Sequence, residues 1–529
     1  MKDKKKLVGI VFGGGLIMLG ANLICFILGY LRDALIVRNF GASSMTDAWY
    51  IAYNVPELLM KFLLFGALGA TFVPVFIEHL SLKKEEEAWG IASAVINCSA
   101  LLLMAAMIAG MIFASSLVHL FAPGFDPATH LLSTQLTRAA LPLLVIIGVS
   151  GLLGSIYTSY FNYLIPALTS VVSVSCLVLF IFIFSERLGI FSVAWGMVLG
   201  NALSLLILIS FFFIKKKPYR FKISFKHPAI REILWLMLPL IGVEIIGKGI
   251  GIVDRIFASF LKPGSITSFN LANRIMDIPV VFFSTTVATT IFPLLSKYIA
   301  ENDREGFYRV LVFATKMCLV IIFPCIIGLI VIGEPVLRAL FEYGKFQAAD
   351  IKTVWELVLC LSWGLVVYSI WPLLARACYA MKKNWLLLYY ELSGFVLNLV
   401  LVSILVRHLG LKGIALATTS TAFILTTVLL WVLRKEAGDV KIKSLTVFLF
   451  KIFLASLFTG AYCFFAFYIL GGRFDGGHKI FLMKVTGTVL SSGALYLILL
   501  RVFKTKEMAL AWKTFGKILI SKSNGAESA

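Results

Sequence analysis

Several charged side chains stand inside long apolar stretches of this sequence, where an unpaired charge is costly. Six of the cations group in two separate parts of the chain: Arg32, Arg38, Lys61, Lys248, Arg255 and Arg274. Arginine presents a planar fork of donors that matches phosphate and carboxylate oxygens. These residues predict a cavity for an anionic substrate, although charge alone does not identify the anion as a phosphate.

Two carboxylates suit a different chemistry. Glu244 and Asp254 stand in one apolar stretch, and buried carboxylates are typical cation or proton sites of transporters. We therefore assign them to ion coupling, with simple neutralisation of Lys248 and Arg255 as the alternative. No cofactor is expected, and coupling to the membrane potential, to Na⁺ or to H⁺ stays open.

The cysteines and histidines predict neither a metal centre nor a catalytic site. The eight cysteines form no C-x-x-C pair, and the six histidines occur singly at predicted loops or helix ends. A membrane glycosyltransferase or acyltransferase would need carboxylates or histidines gathered at one membrane face. We therefore do not expect an enzyme.

The composition indicates what holds these residues in place. Of 529 residues, 60% are hydrophobic and 14% are charged, against about 45–50% and about 25% in soluble domains. This excludes an ordinary soluble enzyme and predicts an all-α polytopic membrane protein. The net charge of +21 lies in short basic runs between apolar stretches, which is typical of loops that face an anionic leaflet rather than of nucleic-acid binding.

Fourteen stretches reach the roughly 20 apolar residues that a transmembrane helix needs. They are residues 8–30, 46–77, 89–117, 131–158, 163–185, 190–214, 233–257, 268–296, 308–340, 351–379, 385–406, 411–433, 445–470 and 479–502. With the N-terminus inside, the inner loops and tails carry roughly three times as many Lys and Arg residues as the outer loops. Fourteen transmembrane helices with both termini in the cytoplasm are therefore predicted.

The chain contains an internal repeat of about 220 residues. Four pairs of landmarks recur at offsets of 219 to 222: Arg32-Asp33 with Asp254-Arg255, Pro74 with Pro293, Tyr160 with Tyr379, and Gly189 with Gly410. Six helices per repeat is an even number, so both halves enter the membrane in the same direction. Parallel repeats of this kind are typical of alternating-access transporters with a cavity between two lobes.

The repeat predicts a division of the chain into four parts. These are an N-lobe at residues 1–220 (helices 1 to 6), a C-lobe at 221–440 (helices 7 to 12), two extra C-terminal helices at 441–503, and a cytoplasmic basic tail at 504–529. Arg32 and Arg255 are repeat-related, so they are expected to face each other between the lobes.

Several motifs carry a family resemblance. They are RDALIVRNFGA at residues 32–42, TDA at 46–48, FVP at 72–74, NRIMDIP at 273–279 and FEYGKF at 341–346. The sequence resembles the MurJ (MviN) lipid II flippases of the multidrug/oligosaccharidyl-lipid/polysaccharide exporter superfamily over most of residues 8–430. The resemblance implies fourteen helices, a V-shaped cavity between two lobes, and a groove for the undecaprenyl tail on the last two helices.

The resemblance also implies residue roles. Arg32 and Arg274 match cavity arginines of the family, and Asp33 and Asp47 match its acids at the helix 1–2 link. We add Lys61 and Arg255, and expect the four cations to contact the substrate diphosphate. Other positions depart from the family pattern, namely Phe26 and Met60-Lys61 in place of arginines and Phe65 and Asn273 in place of acids.

The leading hypothesis is an alternating-access flippase in the bacterial cytoplasmic membrane. It would move lipid II, the undecaprenyl-diphosphate-linked peptidoglycan precursor, from the inner to the outer leaflet. Because of the departures, a flippase for another polyprenyl-linked oligosaccharide, of exopolysaccharide or O-antigen type, stays open as the alternative. A cation-coupled drug exporter is less favoured, since such exporters have twelve helices and acidic cavities.

The expected partners follow from this hypothesis. They are the lipid-linked glycan and membrane lipids, without nucleic acid, and contact with cell-wall synthesis proteins is left open. We expect the protein to function as a monomer.

Overall fold

The structure, a computed structural model, describes residues 2–63, 72, 76–80, 85–160, 162–214, 219, 247–437, 442–470 and 477–503. Every regular element in these residues is a helix. The chain forms two compact units. Unit 1 comprises Met1–Thr267 with Tyr343–Gln347, and unit 2 comprises Ser268–Glu342 with Ala348–Ala529.

Unit 1 is built from nine helices among its described residues. They are α1 (Lys2–Phe40), α2 (Ser44–Leu63), α3 (Glu85–Ile112), α4 (Ala114–Phe121), α5 (Pro127–Ala140), α6 (Pro142–Ser159), α7 (Leu164–Leu188), α8 (Phe191–Ile214) and α9 (247–259). One apolar core packs α3 against α6 and α8 around Trp89 and Ile156. A second packs α1 and α2 against α5, α7 and α8 around Ile36 and Leu136.

The start of α5 shows how local sequence sets a helix end. Asp126 is the N-cap residue, and its carboxylate accepts hydrogen bonds from the backbone N–H groups of Ala128 and Thr129, both at 3.1 Å. Pro127 follows at the first helical position, where its missing N–H costs nothing. The hydrogen bonds from Thr129 hold the pKa of Asp126 below its usual value.

Unit 2 contains the remaining helices. They are α10 (Ser265–Pro279), α11 (Thr286–Ala300), α12 (Arg304–Phe341), α13 (Ala348–Ser362), α14 (Leu365–Ala380), α15 (Asn384–Leu409), α16 (Leu411–Ala437), α17 (Ile442–Phe464) and α18 (Gly477–Val502). The first of them, α10, begins at the end of unit 1 and continues through a π-helical turn at Val280–Thr285. A second π-helical turn, at Phe465–Leu470, follows α17. The Tyr496 hydroxyl on α18 donates to the Val320 carbonyl on α12 at 2.6 Å. The C-terminal pair of helices is thereby joined to the long helix α12.

The protein is a multi-pass membrane protein. Among the described residues, eleven helices are long and apolar enough to cross a membrane, or twelve if α13 and α14, bent by 52°, count as one span. These correspond to twelve of the predicted spans. The other two, 46–77 and 233–257, fall partly outside the described residues, as does the whole predicted tail 504–529. The count of fourteen and the lobe boundaries at 220 and 440 stay predictions.

The two repeats bend at matching positions. Phe113, between α3 and α4, has φ −92° and ψ 14°, and Ile332, within α12, has φ −122° and ψ 15°. The break between α5 and α6 at Leu141 likewise matches the break between α13 and α14 near Trp363. These pairs are separated by 219 and 222 positions, within the offset of the sequence landmarks.

Candidate functional site

The predicted site residues of the first repeat lie around the link between α1 and α2. The helix α1 ends at Gly41, which adopts φ +69° and donates its N–H to the Val37 carbonyl at 2.8 Å. The Thr46 hydroxyl then accepts the N–H of Ser43 at 3.0 Å and donates to the Gly41 carbonyl at 3.0 Å. A side chain in the first turn of α2 therefore organises the link and fixes the direction in which α2 starts.

Arg32 and Asp33 form an ion pair at the end of α1. The Arg32 Nε donates to Asp33 Oδ1 at 2.8 Å, and a terminal nitrogen of the same guanidinium lies 2.6 Å from that oxygen. The Arg32 side chain is 25% exposed and that of Asp33 is 6% exposed. Asp33 therefore holds the guanidinium in place from the buried side, while part of the fork stays accessible.

Asp47 binds a helix start instead of a cation. Its Oδ2 accepts the N–H of Gly264 at 2.7 Å, and its Oδ1 accepts the N–H of Thr267 at 2.7 Å and the Thr267 hydroxyl at 2.6 Å. These groups lie at the beginning of α10, where backbone N–H groups have no partner within the helix and the helix dipole favours an anion. Asp47 is thus a carboxylate cap on a helix of the other repeat.

The predicted residues of α9 are also brought to unit 1. The Arg255 Nη1 donates to the Gly251 carbonyl at 3.2 Å, and the guanidinium interacts electrostatically with Glu57 of α2 and with Asp254. Asp254 is 3% exposed. Arg32, Asp33, Asp47, Asp254 and Arg255 therefore all belong to one compact unit.

The remaining predicted residues are placed elsewhere. Arg274 lies half-buried on α10, in unit 2. Glu244 and the side chain of Lys61 lie outside the described residues. In the part of the chain that the structure describes, no three His, Cys, Asp or Glu side chains converge as metal ligands would, and the absence of a metal centre stays a prediction.

Sequence reasoning missed a junction at which the two repeats contact each other through equivalent residues. The hydroxyls of Thr46 and Thr267, 221 positions apart, are hydrogen-bonded at 2.8 Å. This contact joins equivalent positions of the two sequence repeats. The sequence already showed landmarks at an offset of about 220. Thr46 and Thr267 could have been recognised as a further pair at that offset.

Two further contacts of the junction each join a glycine turn of one repeat to a helix of the other repeat. Gly124, in the turn before α5, donates its N–H to the Ser259 hydroxyl at 3.0 Å. Its equivalent 220 positions later, Gly344, packs on the carbonyl of Arg38, which also accepts the N–H of Lys345 at 2.8 Å. Ser259 is in turn the equivalent of Arg38, 221 positions apart. Each repeat thus places its glycine turn on the first helix of the other.

Both turns need glycine because backbone approaches backbone. A Cβ at Gly124 would lie 2.6 Å from the Ser259 carbonyl oxygen, and a Cβ at Gly344 would overlap the Arg38 carbonyl oxygen. Gly344 also has φ +62°, in the left-handed region that glycine adopts without strain. We call these segments, residues 38–47, 122–126, 259–267 and 343–347, the two-fold junction.

The described residues of this site form an arrangement suited to binding and positioning anions. Its charged groups are guanidiniums held by carboxylates, and its polar contacts are backbone and hydroxyl groups of the two-fold junction. A comparison with known protein families matches residues 36–484 to the family of the lipid II flippase MurJ. The chain belongs to the MurJ family. The match covers most of the chain; it includes the motif around Arg274 and begins at residue 36, four positions after Arg32.

Curated relatives of the MurJ family align along most of their length. A probable lipid II flippase MurJ of Buchnera aphidicola subsp. Schizaphis graminum is 27% identical over 507 residues, covering 94% of this chain and 97% of the relative. One from Thermotoga maritima is 28% identical over 490 residues, covering 91% and 94%. The chain therefore spans nearly the whole of these MurJ proteins.

Solved structures agree with the MurJ assignment. A lipid II flippase MurJ in an inward closed conformation matches with a TM-score of 0.77 at 27% identity, covering 93% of this chain and 100% of that one. An inward-facing multidrug resistance transporter of the MATE family matches with a TM-score of 0.65 at 17% identity, covering 79% and 96%. The second likeness is one of fold alone.

Proposed function

We propose that this protein is a lipid II flippase that moves undecaprenyl-diphosphate-linked peptidoglycan precursor from the inner to the outer leaflet of the bacterial cytoplasmic membrane. The observation that carries the proposal is the family match over residues 36–484, supported by relatives of nearly equal length that bear this function in their names. The protein acts as a transporter and makes or breaks no covalent bond of its substrate.

The substrate diphosphate is held by Arg32, Arg255 and Arg274, with Lys61. A diphosphate that leaves water for a low-dielectric cavity needs several charged donors, because burying it unpaired costs many kcal/mol. Charge-assisted hydrogen bonds from arginine replace the lost hydration. Asp33 keeps the Arg32 fork oriented at 2.6 Å before substrate arrives, and the phosphate oxygens then compete with this carboxylate.

Transport proceeds by alternating access between two repeats of the same orientation. The segments of the two-fold junction include the loops that charge asymmetry predicts to be outside. Contacts between the repeats at this place, such as Thr46 with Thr267, have to separate before substrate leaves to the outer leaflet. The undecaprenyl tail stays in lipid beside the two C-terminal helices.

Ion coupling is assigned to Asp254, with Glu244 as the second carboxylate of the same predicted span. Asp254 is 3% exposed and neighbours Arg255, so any ion or proton exchanged there would change the charge next to a substrate ligand. Asp254→Asn is expected to weaken the dependence of transport on ion gradients and membrane potential. Unchanged gradient dependence in both Asp254→Asn and Glu244→Gln would exclude this role.

The test is depletion of the protein in its own host, followed by identification of the lipid-linked glycan that accumulates in the inner leaflet. Lipid II is expected to accumulate, and its exposure on the outer face to fall. Accumulation of a different polyprenyl-linked oligosaccharide, with lipid II exposure unchanged, would replace lipid II with that substrate. Re-expression of the wild-type chain serves as the control.

A further inference from the structure

Unit 2 contains a cavity that the transport site does not use. Its volume is about 350 Å³, and it lies between the end of α11, the start of α12 and the turn that follows α14. Its lining includes Tyr298, Arg304, Phe307, Tyr308, Met381 and Lys383. Two cations and two tyrosines therefore share one small space with apolar side chains.

The cavity is walled by two turns of the same construction. Asn302 and Lys382 adopt φ +55° and +58°, and they are the non-glycine residues with positive φ in the described part of the chain. The N–H of Asp303 bonds back to the Tyr298 carbonyl and that of Lys383 to the Cys378 carbonyl, both at 2.9 Å. Such backbone conformations persist where the surroundings impose them, and they occur preferentially at binding sites.

The local charge favours an anion. Three carboxylates close to the cavity in sequence are engaged by other groups: Glu301 lies 3.7 Å from Lys297, Glu305 lies 2.7 Å from Arg309, and Asp303 accepts the N–H of Gly306 at 2.8 Å. None of these three acids lines the cavity, whereas Arg304 and Lys383 do. The charged side chains among the described lining residues are therefore both cations, which suits an anion.

The position of the cavity identifies the kind of anion. It lies where the apolar spans 265–300 and 304–341 meet and where the bent span 348–380 ends, and therefore at a membrane boundary. Tyrosines are enriched at this depth, and the loops concerned are predicted from their charge to be on the inner side. Phe307, 1% exposed, gives the cavity an apolar wall. Basic pockets between helices at the inner surface suit lipid headgroups.

We propose that this cavity binds the phosphate headgroup of an anionic phospholipid of the inner leaflet. Arg304 and Lys383 contact the phosphate, Met381 contacts the glycerol and the start of the acyl chains, and the buried Phe307 supports this wall from behind. The Tyr308 hydroxyl donates to the Leu433 carbonyl at 3.1 Å, so the wall is also tied to α16. A bound lipid would connect α11, α12 and the turn after α14 at this end of unit 2.

Native mass spectrometry of the purified full-length protein tests the proposal directly. The protein is released from membranes that contain phosphatidylglycerol and phosphatidylethanolamine, and the retained lipid is identified. The wild type is expected to retain phosphatidylglycerol preferentially, and Arg304→Gln/Lys383→Gln to retain about tenfold less, because two charge-assisted contacts are lost. Equal retention by this variant, or no preference in the wild type, would overturn the proposal.

Controls separate this site from general charge and from free phosphate. Lys352→Gln/Arg407→Gln removes the same charge at exposed positions away from the cavity and is expected to behave as wild type. Should the double variant unfold at lower temperature, Arg304→Lys/Lys383→Arg keeps both charges and is expected to retain the lipid. Stabilisation by inorganic phosphate equal to that by phosphatidylglycerol would contradict a lipid headgroup site.

Discussion

At the scale of single residues, the charged groups of the site are held by two kinds of contact, one between sequence neighbours and one between distant parts of the chain. Arg32 and Asp33 are neighbours, and the structure joins them at 2.6 Å. Asp47 was predicted as a site residue, but its partners Gly264 and Thr267 are more than 210 positions away and are mostly backbone groups. Composition and spacing do not show which distant N–H group a carboxylate binds. The capping role of Asp47 is therefore visible only in the structure.

Substitution of the cavity arginines should impair transport. Arg32→Ala and Arg274→Ala each remove charge-assisted hydrogen bonds worth about 1.5–3 kcal/mol, or roughly 10- to 100-fold in substrate affinity. Arg→Lys variants keep the charge but lose the planar fork, so they should restore transport only in part. The measurement is complementation of a depleted strain at matched membrane levels.

The control for this series is Arg309→Ala. Arg309 is 72% exposed and pairs with Glu305 on the surface of α12, so its loss should be nearly neutral. Full complementation by the double variant Arg32→Ala/Arg274→Ala would rule out this phosphate site.

At the scale of elements, hydropathy predicted the helices well but their ends less well. The first span was predicted at 8–30, whereas α1 continues to Phe40 because the helix carries its charged residues, including Arg38 in the last turn, beyond the apolar stretch. The bend at Ile332 has a readable cause in Pro335, which cannot donate to the preceding turn. Phe113 has no proline beside it, so its matching bend was not predictable.

The glycine turns of the two-fold junction should tolerate substitution poorly. Gly344→Ala places an alanine in the left-handed region, which lowers the free energy of unfolding by about 1–2 kcal/mol. The new side chain also clashes with the Arg38 carbonyl, at a further cost of about 1–3 kcal/mol. Gly154 lies within α6 with open space around it, so Gly154→Ala carries neither cost and should be neutral or slightly stabilising. Thermal unfolding of both variants in the same detergent should show a loss for Gly344→Ala alone. Equal unfolding temperatures would mean that neither the backbone conformation of Gly344 nor its contact with Arg38 matters.

At the scale of the whole molecule, the class of protein followed from composition because a spanning helix must satisfy all its backbone groups internally. Twenty apolar residues in a row therefore have few structural alternatives to a membrane-spanning helix. The repeat was also readable, since landmarks kept one offset. The contacts between equivalent residues were not readable, because they join positions about 220 residues apart without any local signal.

The orientation of the chain can be measured at its C-terminus. The predicted even number of spans and the charge asymmetry of the loops predict that both ends lie in the cytoplasm. A fluorescent protein fused after Ala529 should be bright inside the cell, and an alkaline phosphatase fused there should be inactive. An active phosphatase would contradict the fourteen-helix topology.

If the chain flips lipid II as proposed, the two-fold junction must open, and a reversible cross-link tests this requirement most directly. The pair Thr46→Cys/Thr267→Cys replaces hydroxyls that are 2.8 Å apart, in a background in which the eight native cysteines are replaced. A control pair within one repeat, Thr169→Cys/Ser204→Cys, replaces side chains at positions joined by a 2.7 Å hydrogen bond.

The quantity measured is lipid II exposed on the outer face of cells that depend on the variant. We expect oxidation to stop exposure in the Thr46/Thr267 pair, reduction to restore it, and the control pair to transport in both states. Full exposure of lipid II by chains that are completely cross-linked between positions 46 and 267 would contradict the account.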